Sequence, residues 1–271
     1  MVALYIICGI LLVLFILYVL STKGRTGHHD LKNLRGWSYA HRGLHDDTVP
    51  ENSMLGFRLA RDAGYGVELD VHLLKDGNLA VFHDTALDRV TGRLGRIVDL
   101  TIEELTDYKL KNTDETIPEF TKVLELFDGK VPLIIELKSV NNYVSLCEKV
   151  CKALENYNGV YCVESFDPRC VHWFKRNRPE IVRGQLTENY FRSSGVKLPW
   201  VLKLSLKNQI FNFLNRPDFV AYRFSDRKTF SNFLCRRLWK MQGVSWTIQN
   251  KQDFDSVMKE GWVPIFEGFR P

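Results

Sequence analysis

The feature that most constrains the fold is an alternation, from Trp37 to the end of the chain, of short apolar runs and helix-length amphipathic segments. Strands that alternate with helices predict a parallel sheet whose two faces are both covered. The predicted strands are residues 37–41, 66–73, 79–83, 131–137, 159–163, 181–186, 218–222, 243–248 and 263–266. Residues 79–83 are expected to pair as a hairpin, which leaves about eight βα units.

Eight βα units in about 235 residues are the size of a TIM barrel, so the predicted fold is an α/β protein of the (β/α)8 class. The helices between the strands include residues 53–63, 142–154, 168–178 and 254–260. A doubly wound open sheet is the alternative, and it is disfavoured because no Gly-rich phosphate loop follows the first predicted strand. We interpret the amphipathic residues 198–214 as a barrel helix rather than a helix lying on a membrane surface.

Residues 2–20 are apolar and uncharged, and a helix of about 20 such residues can cross a bilayer. They lack the basic n-region and the cleavage site of a signal peptide, so a retained anchor is predicted over a cleaved signal. The predicted organisation is a transmembrane anchor over 1–21, a linker over 22–36 and a TIM-barrel domain over 37–271. The basic residues Lys23, Arg25, Lys32 and Arg35 follow the anchor, so the positive-inside rule predicts a cytoplasmic catalytic domain.

Charge and cysteine content exclude several classes of function. The formal net charge of +5 is mild, and without a long Lys/Arg block a nucleic-acid partner is not expected. Weak attraction to phosphate groups or anionic lipids fits this balance. The six cysteines match no zinc-module spacing, which favours small buried side chains in a reducing compartment.

Chemically informative residues lie where predicted strands end. Glu68 and Asp70 are two apart in one strand and therefore share a face, as do Glu136 and Lys138 in another. Carboxylates gathered at one end of a barrel repel each other unless a cation lies between them. An all-oxygen ligand set predicts Mg²⁺ or Ca²⁺ rather than a thiolate-binding metal.

Two histidines, His41 and His83, also end predicted strands, and a pair of imidazoles can supply one base and one acid near neutral pH. Arg42 offers a planar fork of donors to phosphate oxygens. A cation would stabilise charge that builds on the phosphoryl oxygens. The combination predicts cleavage of a phosphodiester.

The motifs that contain these residues resemble those of the glycerophosphodiester phosphodiesterase family. The matching motifs are His41-Arg42-Gly43, Pro50-Glu51-Asn52-Ser53, Val67-Glu68-Leu69-Asp70-Val71, Lys75-Asp76-Gly77, Val81-Phe82-His83-Asp84 and Ile135-Glu136-Leu137-Lys138, with weaker matches at Glu164-Ser165-Phe166 and Val244-Ser245-Trp246-Thr247. The likeness begins at Ala40 and is dense only as far as Asp84. The family fold is a TIM barrel with a small insertion after strand 2, which would occupy residues 85–127 here.

The resemblance implies a role for each matching residue. The implied metal ligands are Glu68, Asp70 and Glu136, the implied acid–base pair is His41 and His83, and the implied phosphate contacts are Arg42 and Lys138. Trp246 would line the site beside the alcohol or glycerol moiety, or belong to the barrel core. Glu51 would support the His41 loop, and Asn52 would serve the site or cap the next helix. Many relatives have Thr-Asp before a Pro at the last strand, whereas this chain has Glu267, a difference that bears on substrate fit.

The implied reaction is metal-dependent hydrolysis of a small-molecule glycerophosphodiester to glycerol 3-phosphate and an alcohol, in phospholipid and glycerol metabolism. A histidine would activate either water or the neighbouring glycerol hydroxyl, and the sequence leaves both routes open. One alternative is lysophospholipase-D-like cleavage of membrane lysophospholipids. Another is a membrane-anchored binding module without catalysis. That module predicts loss of a ligand or a histidine, and all of them are present.

Overall fold

A closed barrel of parallel strands forms the body of the molecule. The computed structural model describes residues 1–140, 142–193 and 197–271. Within these residues the sheet contains β1 (Tyr39–His41), β2 (Gly66–Leu73), β3 (Leu79–Val81), β4 (Leu133–Leu137), β5 (Tyr161–Ser165), β6 (Arg183–Thr187), β7 (Phe219–Arg223), β8 (Gln242–Ile248) and β9 (Trp262–Phe266). Strand β1 pairs in parallel with both β2 and β9, which closes the ring and confirms the TIM barrel over the open sheet.

The helices are α1 (Val2–Ser21), α2 (Leu31–Leu34), α3 (Met54–Asp62), α4 (Asp88–Thr91), α5 (Phe120–Phe127), α6 (Tyr143–Leu154), α7 (Pro168–Asn177), α8 (Trp200–Lys207), α9 (Asn212–Asn215), α10 (Phe230–Phe233) and α11 (Lys251–Lys259). A π-helical turn, Leu234–Leu238, continues α10. The predicted helix over 198–214 is therefore two shorter helices, α8 and α9, joined by a turn. Asn208 and Gln209 lie in that turn, and Gln209 has a positive φ of 58°.

The insertion after β2 is shorter than expected. Strand β3 runs antiparallel to β2, as predicted, and opens a small unit with its own apolar cluster around Leu87, Ile97 and Leu110. This unit ends before α5. Helix α5 packs Phe120 and Phe127 into the main core against α3, so the predicted end of the insertion at residue 127 is wrong and α5 is a barrel helix.

Alternation along the strands separates two layers of the core. In β2, Val67, Leu69 and Val71 face the surrounding helices, so Glu68 and Asp70 face the barrel interior. The lower interior is apolar and contains Tyr39, Ile134, Cys162, Phe219, Val244 and Ile265. The polar chemistry is therefore confined to the upper end of the interior, where the strands end at their carboxyl termini.

Residues 22–36, predicted as a linker, are packed against the barrel. Leu31 and Leu34 of α2 belong to the apolar cluster of the lower interior and close the amino-terminal end of the barrel. Arg25 forms a two-point ion pair with Asp218 at distances of 2.5 and 2.6 Å. The segment is short and polar in sequence, but its two leucines fill an apolar opening that water would otherwise enter.

Helix α1 is long and apolar enough to cross a membrane, with a mean hydropathy of 3.0, although a signal sequence would meet the same criterion. Its C-terminal end touches the barrel. The indole nitrogen of Trp239 donates to the Val19 carbonyl at 3.2 Å and to the Thr22 hydroxyl at 3.0 Å. The rings of Phe15 and Phe230 stack with centroids 6.3 Å apart.

Five of the six cysteines are buried, as the sequence predicts, whereas Cys8 is exposed on α1. All six thiols are free. Cys147, Cys151, Cys162 and Cys170 act as small apolar side chains in the packing of α6, α7 and the barrel interior. Cys235 packs with Val220 and Met241 in a separate small cluster.

Candidate active site

Four neighbouring strands bring the candidate residues together at the carboxyl end of the barrel. His41 is in register with Glu68, and Asp70 is in register with Glu136. The next pairing places Glu136 beside Glu164. Because parallel strands end at the same edge, motifs that are distant in sequence form one row of polar side chains.

The three predicted metal ligands are close enough to share one ion. Glu68, Asp70 and Glu136 are all buried, and each offers a carboxylate oxygen within 4.8 Å of the others. A buried cluster of this kind is unfavourable without compensating positive charge. Carboxylate oxygens at this spacing fit a hard divalent cation such as Mg²⁺ or Ca²⁺.

Burial and neighbouring charges shift the pKa values of the three carboxyl groups. Burial, and then the charges of Asp70 and Glu136, raise the pKa of Glu68 well above its usual value. Burial also raises the pKa of Glu136. Burial opposes ionisation of Asp70 too, but Lys138, His83 and Arg42 outweigh it and hold its pKa well below the ordinary value. Without a cation, burial thus disfavours the ionised forms of Glu68 and Glu136, whereas the nearby positive charges favour the ionised form of Asp70.

Two basic side chains partly balance these acids. The Lys138 ammonium lies 2.9 Å from an Asp70 oxygen and 2.7 Å from a Glu136 oxygen. The Arg42 guanidinium lies 3.3 Å from the other Asp70 oxygen and donates to Glu51 at 2.8 Å. Both residues that the sequence predicts as phosphate contacts therefore lie at the cluster.

Each histidine has a carboxylate partner. His41 Nδ1 hydrogen-bonds to Glu267, and its Nε2 lies 3.9 Å from a Glu68 oxygen. His83 Nδ1 hydrogen-bonds to Asp84 at 2.6 Å. Burial lowers the pKa of His41 to about 4, although the Glu267 hydrogen bond opposes this shift. The His41 imidazole is therefore neutral at pH 7, with Nε2 free to accept a proton from the cluster side.

A second layer of charged groups holds the partners in place. Glu51 accepts hydrogen bonds from Arg42 and, through two contacts of 2.7 and 2.8 Å, from Arg89. Arg89 also donates to Asp84, the partner of His83. Burial raises the pKa of Glu51, but Arg89 and Arg42 outweigh that effect and lower it to about 2. Glu51 therefore remains ionised and connects the loop after His41 with the insertion.

The loop after β1 depends on one glycine and one asparagine. Gly43 has φ +83° and packs so closely that an added Cβ would lie 2.9 Å from the Gly56 backbone. Asn52 donates from Nδ2 to Asp70 at 2.8 Å, and the adjacent Ser53 caps α3 through its side-chain oxygen. Of the two roles expected for Asn52, the structure supports the one at the site.

Aromatic side chains form the opposite wall. Trp246 is half-buried at the end of β8, and its ring meets Phe166 edge-on with centroids 5.5 Å apart. The Arg223 guanidinium lies 5.4 Å from the Trp246 ring centroid and pairs with Glu188. Trp246 also packs against the apolar cluster of the lower interior. Both of its predicted roles, wall of the site and upper layer of the core, are therefore compatible with its position.

Comparison with known proteins agrees with this geometry. The family model described as the glycerophosphoryl diester phosphodiesterase family matches residues 41–266. This chain belongs to the glycerophosphoryl diester phosphodiesterase family.

A glycerophosphodiester phosphodiesterase of Caldanaerobacter subterraneus subsp. tengcongensis is 32% identical over 241 residues, which cover 82% of this chain and 89% of the relative. An Oleispira antarctica phosphodiesterase, solved in complex with its product sn-glycerol-3-phosphate, superposes with a TM-score of 0.71 at 21% identity. That match covers 90% of this chain and 95% of the other. A glycerophosphodiester phosphodiesterase of Thermotoga maritima superposes with a TM-score of 0.66 at 22% identity, over 86% of this chain and 95% of the other.

Sequence patterns indicate no role for three residues of this phosphodiesterase site. Arg89 lies in the insertion, where no strand pattern indicates its position. Glu267 differs from the family motif, which by itself gives it no role. Glu164 is buried beside Glu136 with one oxygen unpaired, and burial raises its pKa well above the usual value. The signal that could have revealed Glu164 is its location at the end of the strand that follows the Glu136 strand.

Proposed function

We propose that this chain hydrolyses glycerophosphodiesters to glycerol 3-phosphate and an alcohol, with a divalent cation and His41 and His83 as the acid–base pair. The observation that carries the proposal is that three buried carboxylates converge beside two imidazoles. Each imidazole forms a hydrogen bond with a further carboxylate, His41 with Glu267 and His83 with Asp84. Membership of the family supports the reaction class.

Glu68, Asp70 and Glu136 would hold the cation, because their oxygens are mutually close and their repulsion favours a positive ion. When bound, the cation supplies electrostatic stabilisation of the negative charge that develops on the phosphoryl group. The donor set consists of oxygen atoms and thereby suits Mg²⁺ or Ca²⁺.

The histidines would move the protons. His41 is neutral at pH 7 and carries its Nδ1 proton toward Glu267, so Nε2 can accept a proton from the attacking hydroxyl. His83, oriented by Asp84 and Arg89, would return a proton to the departing alcohol oxygen. The attacking hydroxyl belongs either to water or to the adjacent glycerol carbon, and both routes use the same two imidazoles.

Binding and orientation would come from the groups around the cluster. Arg42 and Lys138 would donate to the phosphate oxygens, and Glu51 would fix the Arg42 guanidinium. Trp246 would contact the glycerol or alcohol moiety at the aromatic wall. Such positioning lowers the entropic part of the barrier before any proton moves.

The proposed organisation is an anchor over residues 1–21 followed by a segment and a barrel that form one folded unit. The hydropathy of α1 supports a membrane span, and the basic residues after it support a cytoplasmic barrel. A reporter fused at the C-terminus tests the topology. Reporter activity on the far side of the membrane would refute the cytoplasmic placement.

His41→Ala tests the catalytic assignment with glycerophosphocholine as substrate and added Mg²⁺ or Ca²⁺. We expect kcat to fall by ~10²–10⁴-fold, the usual contribution of an acid–base group. His29→Ala, which removes an exposed imidazole far from the cluster, is the control and should leave kcat unchanged. A His41→Ala enzyme within a few-fold of the unchanged chain would refute the assignment. Detection of a cyclic glycerol phosphate with a slowed variant would identify the hydroxyl route.

A further inference from the structure

The direction of α1 relative to the barrel is fixed by its contacts at two heights. Phe230 begins α10 just after the carboxyl end of β7, so it marks the upper, catalytic end of the barrel. Trp239 follows the π-helical turn shortly before β8 begins, so it marks the lower end. Phe15 stacks on Phe230, while Val19 and Thr22 contact Trp239. Toward its N-terminus, α1 therefore rises along the barrel and continues beyond the catalytic end.

The barrel surface beside α1 exposes large apolar side chains. Trp200 is 68% exposed on α8, and Phe230 and Phe233 on α10 are 51% and 57% exposed. We use the name α1 flank for the exposed apolar residues of α8 and α10. They are Trp200, Val201, Leu204, Phe230 and Phe233. Exposed large apolar side chains at this density indicate an interaction partner.

The two segments that carry the α1 flank are basic in sequence. Residues 197–217 and 227–240, which contain α8, α9, α10 and the turn after α10, include nine Lys or Arg residues and no Asp or Glu. The chain as a whole carries 37 basic and 32 acidic residues, so this absence of acids is a local property. Apolar rings beside basic side chains are the combination that binds the headgroup region of anionic bilayers.

The length of α1 gives the depth of the α1 flank. The part of α1 above Phe15 contains 13 residues, Val2 to Leu14, and spans about 20 Å at 1.5 Å per residue. The hydrocarbon core of a bilayer is about 30 Å thick. The hydrocarbon core is thus ~10 Å thicker than the length of Val2 to Leu14. For α1 to cross the core, residues 15–21, which lie beside the barrel, must span this difference. Interfacial apolar surfaces enter the bilayer by about 5–10 Å, so the α1 flank is at a matching height.

We propose that the α1 flank rests in the headgroup region of an anionic bilayer and that the catalytic end of the barrel faces that bilayer. The inference rests on the anchor in the proposed function. The bilayer is the occupant because the α1 flank is continuous with α1 and shares its height, and because its charge opposes that of anionic lipids. A barrel on a free tether would show no such continuity.

The test places single nitroxide labels in the full-length chain, reconstituted in liposomes of phosphatidylcholine with phosphatidylglycerol. Cys8→Ser removes the exposed cysteine, and single cysteines then replace Ile10, Trp200, Phe230, Val140 or Val160. Relaxation by oxygen against a water-soluble nickel complex measures the depth of each label. Val140 and Val160 are a matched pair, since both are 37% exposed, one just after β4 at the catalytic end and one just before β5 at the lower end.

We expect oxygen to relax the labels at Ile10, Phe230 and Trp200 more strongly than the nickel complex does. For the label at Val160 we expect the reverse. The label at Val140 should lie nearer the bilayer than the label at Val160. Removing phosphatidylglycerol should move the Trp200 label outward. Trp200 and Phe230 labels in water, with Ile10 in the bilayer, would refute the proposal. Spin–spin broadening between chains that each carry one label at Phe230 would show that a second copy of the chain, and not the bilayer, covers the α1 flank. That result would also refute the proposal.

Three further outcomes complete the test. A Val140 label no closer to the bilayer than the Val160 label would refute the orientation. An Ile10 label in water would refute the anchor, and the proposal with it. Hydrolysis of glycerophosphocholine, measured on the same samples, does not depend on these depths. Loss of the proposed activity would therefore leave the α1 flank proposal standing, and normal activity with labels in water would refute only the latter.

Discussion

The carboxylate cluster and the α1 flank depart from the usual distribution of side chains in opposite ways. The cluster buries three acids where apolar groups are normal, and the α1 flank exposes large aromatic rings where polar groups are normal. The cluster gathers acids among basic donors, whereas the segments of the α1 flank contain no acid at all. Each departure is unfavourable in water alone. Under the two proposals above, the two regions have different partners, a cation with a phosphodiester for one and a bilayer for the other.

The largest effect should come from breaking the cluster. Asp70→Asn removes the carboxylate that Lys138, Arg42 and Asn52 all contact, and with it one oxygen ligand of the proposed cation. We expect hydrolysis of glycerophosphocholine to fall by ~10³-fold, or about 4 kcal/mol of transition-state stabilisation. Asp114→Asn, which removes an exposed acid of the insertion, is the control. Near-normal turnover by Asp70→Asn would show that the cluster does not act in the reaction.

Removing the cation should destabilise the cluster in a pH-dependent manner. The folded-state pKa of Glu68 lies above its unfolded value, so between the two values the folded state binds more protons and stability falls as pH rises. A bound cation offsets that loss. A chelator should thus lower Tm more at pH 8 than at pH 5. At pH 8 it should remove about 2.7 kcal/mol of the free energy of unfolding if the cation was at 100 times its Kd. Equal shifts at both pH values would contradict this account.

Glu267, the residue that differs from the family motif, forms a hydrogen bond with His41, the proposed base. Its hydrogen bond raises the pKa of His41 against the effect of burial, so Glu267→Gln should lower that pKa further. The acid limb of the kcat/KM profile should move to lower pH, and kcat should fall ~10-fold as the imidazole loses its orientation. Glu267→Asp should recover part of the rate. An unmoved acid limb would mean that Glu267 does not act through His41.

The smallest expected effect comes from substitutions in the α1 flank, which should affect a substrate in the bilayer but not a soluble one. Trp200→Ser combined with Phe230→Ser should reduce turnover of a lysophospholipid held in a phosphatidylglycerol-containing bilayer by roughly 3- to 10-fold, about 1 kcal/mol. Turnover of soluble glycerophosphocholine should stay the same, because neither residue touches the cluster. Val160→Ser is the matched control. Equal losses on both substrates would assign Trp200 and Phe230 to folding rather than to the bilayer.

Sequence patterns predicted the barrel well because most strands of a parallel barrel contain short apolar runs and are separated by helices. They also predicted which acids meet, because Glu68 and Asp70 share one face of β2 and Glu136 lies on the neighbouring strand β4. Alternation cannot reveal partners that lie in loops, so it missed the contacts that Arg89 makes from the insertion. The same limit explains the segment 22–36, whose fold depends on an opening in the barrel base that exists only once all eight strands have closed.

The packing of that segment has a consequence for how the enzyme would meet its substrate. With Arg25 held by Asp218, and with Leu31 and Leu34 inserted in the barrel base, the segment between α1 and β1 is attached to the barrel at two places. An anchored molecule of this kind could neither swing outward nor tumble independently of its lipid surroundings. It would search by lateral diffusion, in two dimensions and at a constant height. Its rate of encounter with a substrate in the same bilayer would therefore follow the surface density of that substrate, whereas encounter with a soluble substrate would follow the bulk concentration.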